Sequence, residues 1–492
     1  MKARLGAIVG NVRLTGTQWS IGSSRLIGLC LGLWLAIGSV SCGGSTPRPT
    51  PSPSASTFPS AGGIVTPSPT ISSDWTEYHG DASRAGVGPA SPPFGQPHRA
   101  WDVAVDGDVY ASPLIVAGHV LVATENNTVY SLDVFTGAVV WKAHLGSPVN
   151  ASTLACGNIA PVTGITGTPA ADPVAGRLYV VAFLSGPRHV LFTLSLVDGA
   201  VVAQRDIDPP GSDPAVQQER GALALGPGYV YVPFGGLYGD CGNYHGYLEA
   251  MPVGIGGGSG GGPILSYQVP STGRAGIWSP AGETVAGSGS VYVVTGNGSS
   301  RSTFDYSNSV IKLSSDLRVQ SYFAPSNWAA LNVSDTDLGS VGATLLPAIG
   351  TVMAVGKQGV AYLLKADALG GVGGQVVSKA VCSGAWGGTS WSGSTVFVPC
   401  ADGLVALSVT PTSITVMWRA AHPRMGSPIV AAGVLWAIEP DSATLYALDT
   451  ATGAVLYSEA IGAARHFDTL AATDGFVVAP AGTHVVAIST GS

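Results

Sequence analysis

Seven side chains in this 492-residue chain could do chemistry together: Asp108, Arg220, Trp278, Trp386, Arg424, His466 and Asp468. Each stands at or just ahead of a cluster of small residues that opens an apolar stretch. Those clusters are Ala111-Ser112-Pro113, Gly221-Ala222, Ser279-Pro280, Gly387-Gly388-Thr389, Gly426-Ser427-Pro428 and Asp468-Thr469. Two arginines, a histidine and two carboxylates beside two tryptophans suit an anionic or sugar-like ligand, held by charge-assisted hydrogen bonds in a partly apolar hollow. The competing reading is structural, with tryptophans wedged between sheets and charges decorating loops.

Other chemistries find little support. No Cys-x-x-Cys spacing exists, so zinc and thioredoxin-like sites are excluded. No Ser/His/Asp or paired-carboxylate spacing stands out, although a hydrolase or lyase using the same residues is a third functional class to hold open. Gly254 to Gly262 is glycine-rich but precedes no helical pattern, which argues against a phosphate-cradling loop and for a connection between strands. Gly356-Lys357-Gln358-Gly359 reads as a tight turn. Asp240 stands alone between Gly239 and Cys241, short of the oxygen ligands a calcium loop needs. His79 and Asp81 read as capping or turn residues. No metal site is expected.

The elements that must position the seven are short strands. Ser112 to Trp141 reads as apolar strands punctuated by Ala117-Gly118, Asn126-Asn127 and Thr136-Gly137, residues that turns favour. A near copy runs from Ser427 to Tyr457. Both copies begin with Ser-Pro and end in Asp-x-x-Thr-Gly-x-x-x-aromatic, at Asp133 to Trp141 and Asp449 to Tyr457. A repeated four-stranded unit of this kind is a propeller blade. Eight blade starts can be counted, adding Gly167-Thr168-Pro169 and Val341-Gly342-Ala343 to the six above. The eighth blade runs out of sequence after His484 to Ser489. The segment Arg99 to Val105 therefore fills its fourth position, which removes a free sheet edge. The expected fold is all-β: an eight-bladed β-propeller of four-stranded antiparallel blades, closed by an N-terminal strand. Seven blades is the alternative, since the fifth and sixth diverge most.

Composition agrees. Charged residues make up 10% of the chain and glycine is 69 of 492, a low-charge, turn-rich balance that suits an all-β protein. The net charge of −7 without a lysine or arginine run excludes a basic nucleic-acid face. Residues 1–41 have the layout of a secretory signal: a basic start, then the uncharged run Leu26 to Ser41. Cys42 follows Ser39-Val40-Ser41 and reads as a lipidation site, with ordinary cleavage or an uncleaved anchor as the alternatives. Residues 42–73 form a Pro/Ser/Thr-rich tether, and residues 74–492 the folded domain. Cys156, Cys241, Cys382 and Cys400 allow three pairings; Cys156–Cys241 with Cys382–Cys400 is favoured, and free thiols are the alternative. The chain thus reads as an extracytoplasmic, membrane-anchored protein of a bacterial envelope, monomeric as a ring.

Thr124 to Trp141 and Leu445 to Tyr457, with the entry stretch Trp75 to Arg84, Gly236 to Gly246, Gly276-Ile277-Trp278, Val294 to Gly298 and Gly356 to Gly359, resemble the pyrroloquinoline-quinone-type β-propeller family over roughly residues 74–490. The resemblance is also to the lipoprotein propeller subunit of the outer-membrane β-barrel assembly machine. It implies a non-catalytic binding or assembly platform whose partner is an envelope protein or surface ligand, with no cofactor. The alternative it implies is a dehydrogenase of alcohols or sugars using pyrroloquinoline quinone with calcium on Glu, Asn and Asp. Members of that kind carry adjacent cysteines against the quinone, and this chain has none.

Overall fold

The computed structural model describes residues 73–156, 159–254, 261–420, 424–465 and 467–491, all within a compact unit spanning 68–492. Cys42 and the segments read as signal and tether lie outside the described residues, as does His466.

Eight antiparallel sheets follow one another in chain order. The first is built from Leu114–Val116, His119–Ala123, Thr128–Asp133 and Val139–His144. Its β-branched runs favour extended backbone, and Asn127 and Gly137 turn the chain with φ of 57° and 71°. The last sheet takes three strands from the C-terminal end, Ala471–Thr473, Phe476–Ala481 and His484–Ser489. Its fourth is His98–Ala104, pairing antiparallel with His484–Ser489. The closure expected of Arg99 to Val105 is therefore present, one residue earlier. Ring and closure together leave eight blades, not seven.

The Asp-x-x-Thr-Gly-x-x-x-aromatic signature now has a physical meaning. Asp133 Oδ1 accepts hydrogen bonds from the Thr136 N–H and hydroxyl at 2.9 and 2.7 Å, which fixes the turn. Asp449 does the same for Thr452. The glycine that follows lies beneath a tryptophan of the preceding blade: a Cβ on Gly137 would sit 2.9 Å from the Trp101 ring, and one on Gly453 2.6 Å from that of Trp418. Gly199 lies under Trp141 in the same way. Each indole Nε1 then donates to a carbonyl of that neighbouring blade, Val134, Leu196 or Thr450, at 2.8, 3.2 and 3.0 Å. The motif is a blade-to-blade dock.

Residues 75–88 close one end of the central channel. Trp75 pairs with Ile115, the Ala171 N–H donates to the Thr76 carbonyl, Val285 to Ala82, Trp391 to Ala85, and Gly88 to Val430. Trp75, Tyr78 and His79 are each 1% exposed. His79 bonds Thr389 and Thr469, and burial lowers its pKa to about 3, so the imidazole is neutral. Arg84 is 4% exposed and donates to the Glu77 carboxylate at 3.1 Å and to the carbonyls of Tyr78, Leu223 and Glu283. A stretch expected only to cap or turn is a buried plug tying inner strands of most blades together.

Departures from the plain repeat occur at several joints, among them a short ribbon of Val149–Asn150 with Val162–Thr163 between the first and second blades. Gln217–Gln218 adds a short strand beside Gly235–Gly236 in the third blade. Gly371–Val372 pairs parallel with the outer strand of the fourth, Val319–Ala324. The helix Trp328–Ser334 is inserted between the fourth and fifth blades. Both favoured disulfides, Cys156–Cys241 and Cys382–Cys400, are formed, which suits an oxidising compartment.

Candidate functional site

At one mouth of the channel lies a hollow of about 650 Å³. Arg220, Trp278, Trp386 and Phe467 line it, with Tyr238, Asp240, Arg274, Asn297, Asp335, Asp337 and Lys357. Two smaller recesses open beside it. One runs between Arg220, Trp278, Tyr110, Thr166 and Pro280, the other between Trp386, Arg424, Cys400 and Pro440, and Phe467 borders both.

Arg220 follows the added strand Gln217–Gln218, which is pinned by Gln217 Nε2 donating to the carbonyls of Gly235 and His245 at 2.9 and 2.6 Å. The guanidinium stands over the Trp278 ring at 4.8 Å and the Tyr238 ring at 5.9 Å. Among the described residues no carboxylate lies within ion-pair distance of it, and its Nε is buried without a partner. Burial lowers its pKa, against the pull of neighbouring tyrosines and acids. A half-buried guanidinium stacked on two aromatic rings lacks only an anion.

Opposite it stands Lys357, whose ammonium contacts Asp337 at 2.6 Å and Asp335 at 3.3 Å and lies 5.4 Å from the Trp278 ring. Burial would lower the lysine pKa, but Asp337 and Asp335 raise it on balance, so it is a cation. Asp337 also accepts from the Asn297 N–H at 2.8 Å, and Asp335 from Asn297 Nδ2 at 2.7 Å. Asp240 accepts from Tyr244 and pairs with Arg274 at 3.3 Å. The acids of this hollow are thus engaged by cations, while Arg220 and Arg301, which also lines it, have no carboxylate in ion-pair range among the described residues.

Of the seven residues read from the sequence, Arg220, Trp278, Trp386 and Arg424 line the hollow or its recesses. Arg424 is paired with Asp441. Asp108 pairs with Arg465 at 2.7 Å. Asp468 is buried, accepts from the Arg465 N–H at 2.6 Å and has its pKa pushed well up by burial. Lys357, Asp335, Asp337, Asn297 and Tyr238 were not among the seven. The turn Gly356 to Gly359 does join two strands, Thr351–Ala354 and Val360–Lys365, but its lysine faces the mouth. Asp240 is likewise not alone. The available signal was glycine: Val294-Thr295-Gly296-Asn297-Gly298 and Gly356 to Gly359 both interrupt strands where the chain must expose one polar side chain.

The family described as outer membrane protein assembly factor BamB matches residues 98–235. Among solved structures, a quinohemoprotein alcohol dehydrogenase from Pseudomonas putida is similar with a TM-score of 0.67 at 14% identity, over 85% of this chain and 80% of that one. The quinohemoprotein alcohol dehydrogenase from Comamonas testosteroni gives 0.64 at 16%, over 85% and 81%. BamB from Moraxella catarrhalis gives 0.55 at 11%, over 80% and all of that chain. The fold is that of the quinoprotein propellers. No curated protein matches the sequence.

At such identities the likeness concerns the fold alone, so a quinone with calcium has to be tested on the residues present. No glutamate lines the mouth among the described residues. The two aspartates that approach Asn297 are already bridged by the Lys357 ammonium. Cys400 borders a recess but is bonded to Cys382, eighteen residues away. Cys382, Cys400 and Asp402 lie close together, yet sulfurs spent in a disulfide offer no thiolate to a metal. The mouth does not fit calcium held by Glu, Asn and Asp.

Proposed function

We propose that this protein is an extracytoplasmic, membrane-tethered binding propeller that takes a carboxylate-bearing ligand at its channel mouth, without catalysis. The tether through Cys42 sets its reach, and the ring presents the mouth rigidly to an envelope protein or surface ligand. The observation that carries this reading is Arg220, stacked over Trp278 and Tyr238 with no carboxylate of the described residues in ion-pair range. An arginine so placed is matched to a planar, doubly hydrogen-bonding anion. Two observations support the setting: the match of residues 98–235 to the BamB family, and the two disulfides.

The dehydrogenase reading draws on one observation, the similarity in shape to two quinohemoprotein alcohol dehydrogenases. Titrating the full chain with pyrroloquinoline quinone and with benzene-1,3,5-tricarboxylate, followed by tryptophan quenching, separates the readings. Saturable binding of both anions, with no dye reduction when alcohols are added, supports the binding platform. Turnover with alcohols would replace it by the dehydrogenase. Membrane fractionation of Cys42→Ser tests the tether: unchanged membrane retention argues against lipidation.

A further inference from the structure

We propose that the ligand of the mouth is the free C-terminus of a polypeptide whose last residue carries a large apolar side chain. The inference rests on the anion-binding reading of Arg220 and adds which carboxylate that arginine takes. Arg220 borders two spaces at once, the polar hollow and the recess of about 180 Å³ beside it. Ile159, Ala160, Pro280, Tyr110 and Phe467 give that recess its apolar walls. The Thr166 hydroxyl in the same wall is already spent, donating to Glu125 at 2.9 Å and accepting from Gln218 Nε2 at 3.4 Å. An apolar cavity of about 150 Å³ holds a benzene ring, so the recess has room for a leucine or phenylalanine side chain. The disulfide Cys156–Cys241 ties the segment carrying Ile159 to the one carrying Tyr238, which holds two sides of the recess together.

A group seated in the recess and a carboxylate on Arg220 must be joined by very few atoms, because one arginine borders both spaces. In the last residue of a peptide a single carbon bears both. The third substituent of that carbon is the chain, and the hollow of about 650 Å³ is lined for it: Arg274, Arg301, Asn297 and Asp335 present polar and charged groups to backbone amides. Across Phe467 lies the second recess, of about 240 Å³, where Trp386, Pro399, Met425 and Pro440 offer apolar walls to an upstream side chain. The charges fit as well, since Arg220 and Arg301 have no carboxylate in ion-pair range among the described residues. Capture of a terminal carboxylate, with pockets for side chains, is a recurring mode of peptide binding. A sugar acid would bring hydroxyl groups to two apolar recesses, and a small aryl acid would fill only one.

Isothermal titration of the full chain tests this with a hexapeptide ending in phenylalanine as the free acid, its C-terminal amide, the same peptide ending in glycine, and hydrocinnamate. The proposal expects the phenylalanine acid to bind at least about tenfold tighter than each of the others, because burying a large apolar side chain and pairing an arginine with a carboxylate are each worth that much. In Arg220→Gln the acid and the amide should bind alike. In Ala160→Trp, which fills the recess from an exposed position of its wall, the phenylalanine and glycine endings should bind alike. Equal affinity of acid and amide in the parent, equal affinity of the two endings, or hydrocinnamate as tight as the peptide would overturn the proposal. So would a preference for phenylalanine that survives in a folded Ala160→Trp; if that variant melts lower than the parent, the ligand series in the parent decides. Benzene-1,3,5-tricarboxylate separates this failure from that of the anion site: tricarboxylate binding without peptide binding removes the peptide alone, and binding of neither removes both.

Discussion

The rim and the mouth of this propeller use the same residue type for opposite ends. At the rim, Trp101, Trp141 and Trp418 each lie over a glycine turn of the next blade and spend their Nε1 on its carbonyl. At the mouth, Trp278 has Arg220 and Lys357 over its ring, and Trp386 borders both the hollow and one recess. The difference lies in what stands opposite. On an outermost strand, over the neighbouring blade's glycine turn, an indole closes a joint; just ahead of an innermost strand, at the channel mouth, an indole faces a hollow. Stability belongs to the first arrangement, and the proposed recognition to the second.

If that division is right, substitutions should separate the two. The largest loss is expected from Arg84→Ala in the plug, which strands the Glu77 carboxylate and the carbonyls of Tyr78, Leu223 and Glu283 in the interior. Removing one partner of a buried ion pair costs about 3–5 kcal/mol, read as a lower urea midpoint. Trp141→Ala at the rim should cost about 3 kcal/mol and leave tricarboxylate affinity unchanged, whereas Trp278→Ala should weaken binding more than it weakens the fold. Equal losses of stability with unchanged binding in both would erase the comparison. Gly199→Ala should cost about 1–3 kcal/mol, since its φ is +71° and the new Cβ would stand 2.5 Å from the Trp141 ring.

A smaller effect follows from the plug and channel acids. Burial raises Glu77 and Glu125 to about 7 and Glu283 to about 8. A carboxyl whose folded pKa lies above its unfolded value stabilises the fold below the unfolded pKa, and that stability is lost as pH rises through the folded value. The melting temperature should therefore fall between about pH 5 and pH 8. A rise over that window would contradict the upward shift that burial gives these acids.

Much of the fold was legible because the repeat is a packing rule written in residue types. Asp133, Thr136 and Gly137 specify a turn, and the turn specifies where a tryptophan can lie. Even the closing strand could be counted, because the last blade lacked a partner for His484 to Ser489. The mouth was half legible. Positions just ahead of blade starts face it, which gave Arg220, Trp278, Trp386 and Arg424. Asp335, Asp337 and Lys357 come from an insertion and a turn, and no local pattern says that two distant loops will meet. The plug was hidden for the same reason: His79 read as a capping or turn residue, and no local pattern shows that the ring closes around it, Glu77 and Arg84.

The most direct measurement is the affinity of the full chain and of Arg220→Gln for benzene-1,3,5-tricarboxylate. The parent should bind saturably, and Arg220→Gln should lose at least about tenfold, the equivalent of about 1.4 kcal/mol, while melting no lower than the parent. Equal affinity in the two proteins, or none in the parent, would contradict an anion site built on Arg220.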